Sequence, residues 1–257
     1  MKKEIPNTTL LVDADIVAYQ AAFSTEQAIR WGGCDEEDAI WTLHSDEKDC
    51  KNWIDSWYTT LKLDTQCSEL ISCFSDKDNF RKNILKEYKA NRTAQRKPIT
   101  LKFCKDYIFK NYNGMSRPSI EADDILGILA TSQKIIKGNK IIVSIDKDLD
   151  QIAGLHYNPK DKEFYKITSK EAEYNFYYQV LVGDSTDNYK GLPSYGVVKS
   201  SKALLDCKDY WNTIVELYKK EKLTEEDALV QARVAKILQT SDYDFKKKQP
   251  KLWRPSK

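Results

Sequence analysis

The chain has 257 residues, of which 41% are hydrophobic and 31% charged, and its formal net charge is +2. That length suits one α/β domain with a sizeable core, alone or with a helical extension. No apolar run approaches the ~20 residues of a bilayer span. Acids follow the short apolar run at 10–12 too soon for a signal peptide, and six scattered cysteines without a CxxC pair, beside only two histidines, argue against zinc and for reduced cytosolic thiols.

In chain order, near-continuously apolar runs at 9–12 (TLLV), 70–74 (LISCF) and 140–145 (KIIVSI) read as strands buried on both faces of a parallel sheet. Helical patterns occupy 49–63, 101–111, 120–137, 169–182, 199–220 and 224–239. Strands separated by long helical stretches predict a wound α/β core. WGGC at 31–34, followed by DEED, reads as a loop insertion. No clear strand follows residue 168, so the predicted division is a core over 1–168, with a basic arch at about 77–110, and a continuous helical region over 169–257.

The near-neutral charge hides segregation. Residues 24–50 hold eight acids and two bases, residues 77–110 hold eleven Lys/Arg and three acids, and residues 246–257 hold six Lys/Arg and no acid. The last run reads as a solvated, disordered tail. In 77–110 aromatics interleave the bases, which fits either a polyanionic partner or a solvated helix face. FRKNILKEYKANR, on a helix, places Arg81, Leu85, Tyr88, Lys89 and Arg92 along one side. Arg81, Lys82, Lys89 and Arg92 would grip phosphates, Tyr88 would stack on a base, and the Lys89 ammonium would offset charge on a reacting phosphate.

Each predicted strand ends in aspartate: Asp13 with Asp15 beyond it, Asp76, and Asp146 followed by Asp148 and Asp150. The carboxyl ends of parallel strands share one edge, where ligands bind in open α/β folds, so Asp13, Asp76 and Asp146 are expected to converge. Glu121, Asp123 and Asp124 open the helix after Pro118-Ser119, where acids also serve simply to complement a helix dipole. Asp184 and Asp187 lie in GDSTDN, whose residues are equally ordinary in a turn. Crowded carboxylates repel unless cations are present. Oxygen ligands without His or Cys select hard ions such as Mg²⁺ or Mn²⁺, and two such ions ~4 Å apart serve phosphodiester hydrolysis.

These segments resemble the 5′-nuclease family, which includes phage 5′→3′ exonucleases, flap endonucleases and the 5′-nuclease domain of bacterial DNA polymerase I. The resemblance runs in order through VDAD (12–15), FSDKDNFRKNILKEYKANR (74–92), EADD (121–124), SIDKDLDQ (144–151) and GDSTDNYKGLPSYGVVKS (183–200). It implies a PIN-like α/β fold with a mostly parallel sheet, a helical arch and a helix–hairpin–helix-like DNA clamp. It further implies two Mg²⁺ ions, replaceable by Mn²⁺: one held by Asp13, Asp76, Glu121, Asp123 and Asp124, the other by Asp146, Asp148, Asp184 and Asp187. Lys89 and Arg92 are implied as catalytic, and Arg81, Lys82, Tyr88, Gly191, Gly196 and Lys199 as further DNA contacts. The clamp often carries K⁺, and this chain has Ser194 where the family usually has another glycine. Asp15 and Asp150 are extra acids, Asp15 being read as a support for its neighbours.

The implied substrate is duplex DNA with a 5′ end, nick or flap, or an RNA–DNA hybrid, cut by a monomer in the cytoplasm (that of the host for a phage-encoded chain). One rival reading is a haloacid-dehalogenase-type phosphatase with Asp13 as nucleophile and Asp15 as acid, which needs a buried strand before the late acidic motif. Another is a non-catalytic nucleic-acid-binding module.

Overall fold

The structure, a computed structural model, describes residues 7–32, 40–94, 96–205 and 207–255. Strand β1 (Thr8–Asp13) is almost wholly buried and leads directly into α1 (Ala14–Thr25), capped by Asp13. An exposed hairpin of β2 (Gln27–Trp31) and β3 (Ile40–His44) precedes α2 (Glu47–Thr65) and β4 (Leu70–Phe74). Next come α3 (Leu101–Asn111), β5 (Gly114–Ser116), α4 (Ala122–Thr131) and β6 (Asn139–Val143). The hairpin β7 (Gly154–Asn158) and β8 (Glu163–Ile167) completes the sheet. Four helices follow: α5 (Ser169–Val182), α6 (Val197–Leu204), α7 (Tyr210–Lys220) and α8 (Glu225–Ala235).

The six strands lie in the order β5-β4-β1-β6-β7-β8. All neighbours are parallel except the β7–β8 pair. The three strands predicted from apolar runs are therefore the middle of the sheet, because only central strands bury both faces. One apolar layer contains Leu10, Val12, Ile54, Ile108 and Val143. The other contains Leu11, Ile125, Leu129, Ile142 and Leu238. A third cluster, with Phe176, Val180, Trp211, Ile214 and Ala232, builds the helical C-terminal part and takes in Tyr88.

Several predicted elements differ. Residues 80–94 are not one helix but two 3₁₀ turns, Phe80–Asn83 and Ala90–Ala94. The helix expected over 120–137 ends at Thr131. The one expected over 199–220 is two helices, with Asp209 capping the second. The insertion read at 31–38 lies between the paired strands β2, which takes in Trp31, and β3, while Cys34 and the acids at 35–38 lie outside the described residues. The tail expected to be disordered is folded as far as it is described. Short strands β9 (Tyr243–Asp244) and β10 (Gln249–Pro250) pair, and Trp253 packs on Trp211 and Phe176 at ring distances of 4.9 and 5.2 Å.

Candidate active site

The carboxyl ends of β4, β1 and β6 open into a cleft of about 1060 Å³, lined by Asp13, Asp15, Asp76, Glu121, Asp123, Asp146, Asp148, Asp184 and Asp187 together with Lys82, Lys89, Arg92 and Lys105. Eight of the nine acids expected as ligands therefore line one cleft, Asp13, Asp76 and Asp146 among them from the strand ends. Asp13 ends β1, and its carboxylate accepts from Ser144 Oγ at 3.2 Å. Ser144 Oγ in turn accepts from the Asp146 amide at 3.0 Å, so a single serine registers both aspartates. Asp146 caps the 3₁₀ turn Lys147–Gln151 and accepts from the Asp148 amide at 2.9 Å.

Repulsion is written into these groups. Burial, then Asp15 and Asp146, push the Asp13 carboxyl up to about 7. Burial, then Asp146, Asp184 and Asp187, push Asp148 up to about 7. Burial, followed by Asp13 and Asp146, holds Asp123 well above the usual carboxylate range. Asp146 is raised mainly by burial, with Asp187 and Asp184 adding to it. Four carboxyls that resist ionisation together are a donor set waiting for positive charge.

Glu121 and Asp187 already have it. Lys89 bonds Glu121 and lies 3.3 Å from Asp187, and Arg92 bonds Asp187. The Tyr88 hydroxyl is 2.8 Å from a carboxylate oxygen of each and has one proton to share between them. Burial alone would raise Glu121, but Arg81, Lys89 and Tyr88 outweigh it and hold the carboxyl at about 2. The backbone here is stitched as well. Lys89 N donates to Asp187 O at 2.8 Å and Asn188 Nδ2 to Glu87 O at 2.7 Å. Asn91 Nδ2 donates to Ser185 O at 3.0 Å and Arg92 Nε to Thr186 O at 3.2 Å. Lys89 adopts a left-handed φ of 56° within this stitch, a conformation costing a non-glycine residue roughly 1–2 kcal/mol.

Asp76 lines the cleft, but both its oxygens are engaged, by the amides of Ser119 at 2.7 Å and Lys77 at 2.8 Å. Among the described residues no three His, Cys, Asp or Glu side chains stand as a ready-made cation cage. Lys89, Arg92 and backbone amides meanwhile engage Glu121, Asp187 and Asp76. The chemistry of the set, all oxygen and self-repelling, fits hard divalent cations.

Other expectations need correction. Asp124 is fully buried and no part of the cleft: Arg81 grips it at 2.7 and 2.8 Å, and it caps the Leu238 amide at 3.0 Å. Arg81 is 2% exposed and also donates to Val234 O and Lys236 O, so it reaches no external phosphate. Tyr88, 3% exposed, has no face free for a base. The Gly191 amide is taken by Gln231 Oε1 at 2.9 Å. Gly191 instead makes a close backbone approach to Gly183, and a methyl on either would sit 2.4 Å from backbone atoms. Gly196 is open and caps α6. Lys199 is exposed over the Tyr195 ring, and Ser194 takes the left-handed φ of 67° that a glycine would. Lys82 is exposed at the cleft.

Sequence reasoning missed the amide relay behind Asp148. Buried Gln151 bonds Gln179, and Gln179 donates to Asp148. Gln151 closes the motif SIDKDLDQ, and an uncharged amide beside three aspartates was the available signal; Gln179, in mid-helix, gave none. Asp15 lines the cleft and accepts from Ser75 N at 2.8 Å and from Lys105 Nζ at 2.6 Å. Asp150 faces away, toward the Tyr165 hydroxyl. Helix α5 runs directly into GDSTDN, so the buried strand that the aspartyl-nucleophile phosphatase reading requires is absent there.

A mostly parallel sheet thus carries acids along its carboxyl edge, with a basic segment bound over them. Residues 8–176 match the family described as 5'-3' exonuclease, N-terminal resolvase-like domain. The chain belongs to that family and is a phosphodiester-hydrolysing 5′→3′ nuclease. It is 26% identical over 284 residues to the exonuclease of Escherichia phage T7, covering 96% of this chain and 93% of that protein. It is 28% identical over 226 residues to a 5'-3' exonuclease of Buchnera aphidicola, covering 81% and 74%. Among solved structures, the T5 D15 protein co-crystallised with metal ions superposes with a TM-score of 0.67 at 14% identity, covering 89% of each chain, and establishes likeness of fold. The bacteriophage T5 flap endonuclease, solved in a pseudo-enzyme–product complex with DNA and metal ions, gives 0.65 at 14% identity, covering 89% and 88%.

Proposed function

We propose that the cleft cuts DNA phosphodiesters near a 5′ end, nick or flap, with divalent cations, Mg²⁺ or Mn²⁺, as cofactors. The supporting observation is the convergence of Asp13, Asp123, Asp146 and Asp148, remote in sequence, with carboxyls pushed upward by burial and by one another. These four would hold the cations, joined by Glu121, Asp184 and Asp187. Bound there, the ions supply positive charge at the scissile phosphate and make water more acidic. Lys89 and Arg92 supply cations to the same phosphate, Lys82 and Lys199 contact backbone phosphates, and Gly196 at the start of α6 offers backbone amides to one. Residues 169–257 form the duplex-binding part of the monomer. A K⁺ ion in the clamp would sit at the turn where Ser194 holds a left-handed φ of 67°, and an RNA strand paired to DNA is a further substrate of the same cleft.

The test is digestion of 5′-labelled flap, nicked and blunt substrates with Mg²⁺ and with chelator, read as product lengths. Cation-dependent cleavage is expected, lost in Asp13→Asn. Lys89→Ala is expected to slow turnover at least tenfold while binding changes much less. Cleavage that persists in chelator would sink the reading, and unchanged turnover in Lys89→Ala would remove that residue from the chemistry.

A further inference from the structure

We propose that the C-terminal hairpin at 243–250 is a second grip on the phosphate backbone of duplex DNA, separate from the α6 clamp. This rests on the nuclease reading above. The hairpin tip carries Lys246, Lys247 and Lys248 in succession, all exposed, with Lys251 and Arg254 beyond. The Lys247 ammonium is close enough to Asp244 to help hold that carboxyl below its usual range, after the Lys247 and Lys246 amides, while the ammonium groups of all three lysines face solvent.

The tip is a built turn rather than a loose tail. Asp244 Oδ1 accepts from the amides of both Lys246 and Lys247 at 2.9 Å, and Lys248 closes the turn at a φ of 55°. Lys251 N donates to Asp242 O at 2.7 Å. Tyr243 is 2% exposed. The Arg117 guanidinium lies over the Tyr243 and Phe245 rings, 5.6 and 5.7 Å from their centroids. A cluster of ammonium groups held on a fixed turn loses little freedom on meeting a polyanion, whereas the same lysines on a disordered tail would lose more.

Position decides the partner. Arg117 directly follows β5, at the carboxyl edge that carries the cleft. Two residues on, the Ser119 amide holds Asp76 in the cleft wall. Residues 235–240 cross from Gln151, beyond β6, past Asp124 and along α4 to Thr131, and Tyr243 then returns to Arg117. Through Arg117 the hairpin is tied to the β5 side of the sheet. The α6 clamp follows α5, which packs on the turn after β6, on the other side of β1. A duplex running from the α6 clamp across the cleft toward β5 would extend to the side of the sheet that carries these lysines.

The experiment compares the unaltered chain with K246A/K247A/K248A, both confirmed folded by thermal melting, for binding to labelled duplexes with long and short flanks in chelator. One phosphate per lysine predicts that the slope of log K against log salt becomes shallower by about 2.7 for the long duplex, with affinity at low salt falling at least about tenfold. The short duplex, which does not reach from the clamp to the hairpin, is expected to lose much less. Equal slopes for the two proteins on the long duplex overturn the proposal, as does a loss confined to single strands. If the unaltered chain cuts DNA with Mg²⁺ and the slopes are equal, only the hairpin assignment falls. If it neither cuts nor binds, both readings fall.

Discussion

Asp13 and Asp148 are both pushed up to about 7 from an ordinary 3.8, and that carries a stability consequence. Between those limits the folded chain binds more protons than the unfolded one, so stability falls as pH rises from about 4 to about 7. One unit is worth about 1.4 kcal/mol, and with Asp148 discounted for its partial exposure the loss remains a few kcal/mol. Glu121, held at about 2 from an ordinary 4.5, adds stability that is lost only as pH falls below about 4.5. The metal-free chain is thus expected to melt lower at about pH 7.5 than at about pH 5, and added Mn²⁺ to raise the melting temperature more at the higher pH. An equal Mn²⁺ increment at both pH values would show that the ion relieves no mutual repulsion. Asp13, Asp123, Asp146 and Asp148 were legible because strand ends and a helix start place them whatever else the chain does. Tyr88, Arg81 and Asp124 were misread because their burial is decided by partners far away: Arg81 Nε bonds Val234 O, 153 residues distant.

The same contact governs an element. A basic, amphipathic stretch reads as a helix, yet 80–94 folds as 3₁₀ turns. Arg81 turns inward to Asp124, and Lys89 gives its amide to Asp187. Tertiary bonds there outweigh a propensity worth only tenths of a kcal/mol per residue. Arg81→Leu is expected to destabilise the fold by about 3–5 kcal/mol in urea unfolding, by leaving the Asp124 carboxylate buried without its partner. An unchanged midpoint would mean that Arg81 is not what anchors the basic segment. Helix α1 escaped notice for another reason. Its sequence, ADIVAYQAAFST, is apolar on most sides and shows no stripe to count, as befits a helix with five buried residues. The β7–β8 pair lies at the sheet margin, where exposed and polar positions dilute the apolar signal.

At the scale of the molecule, chain order and sheet order together explain why scattered acids make one cleft: β1, β4 and β6 are adjacent although 60 or more residues separate their aspartates. What the sequence did not disclose is how the clamp loop and the basic segment are fastened to each other through Asp187, Asn188, Glu87 and Asn91. The fastening makes the pocket resemble an ion exchanger already loaded with the protein's own ammonium and guanidinium. A divalent ion that claims Glu121 or Asp187 displaces Lys89 or Arg92, and the displaced cation is then at liberty beside an arriving strand. Metal and nucleic acid are accordingly expected to reinforce one another's uptake, and linkage makes the reinforcement equal in both directions. Titrating Mn²⁺ with and without an uncleavable phosphorothioate strand measures it, and identical isotherms would mean that the resident cations never leave.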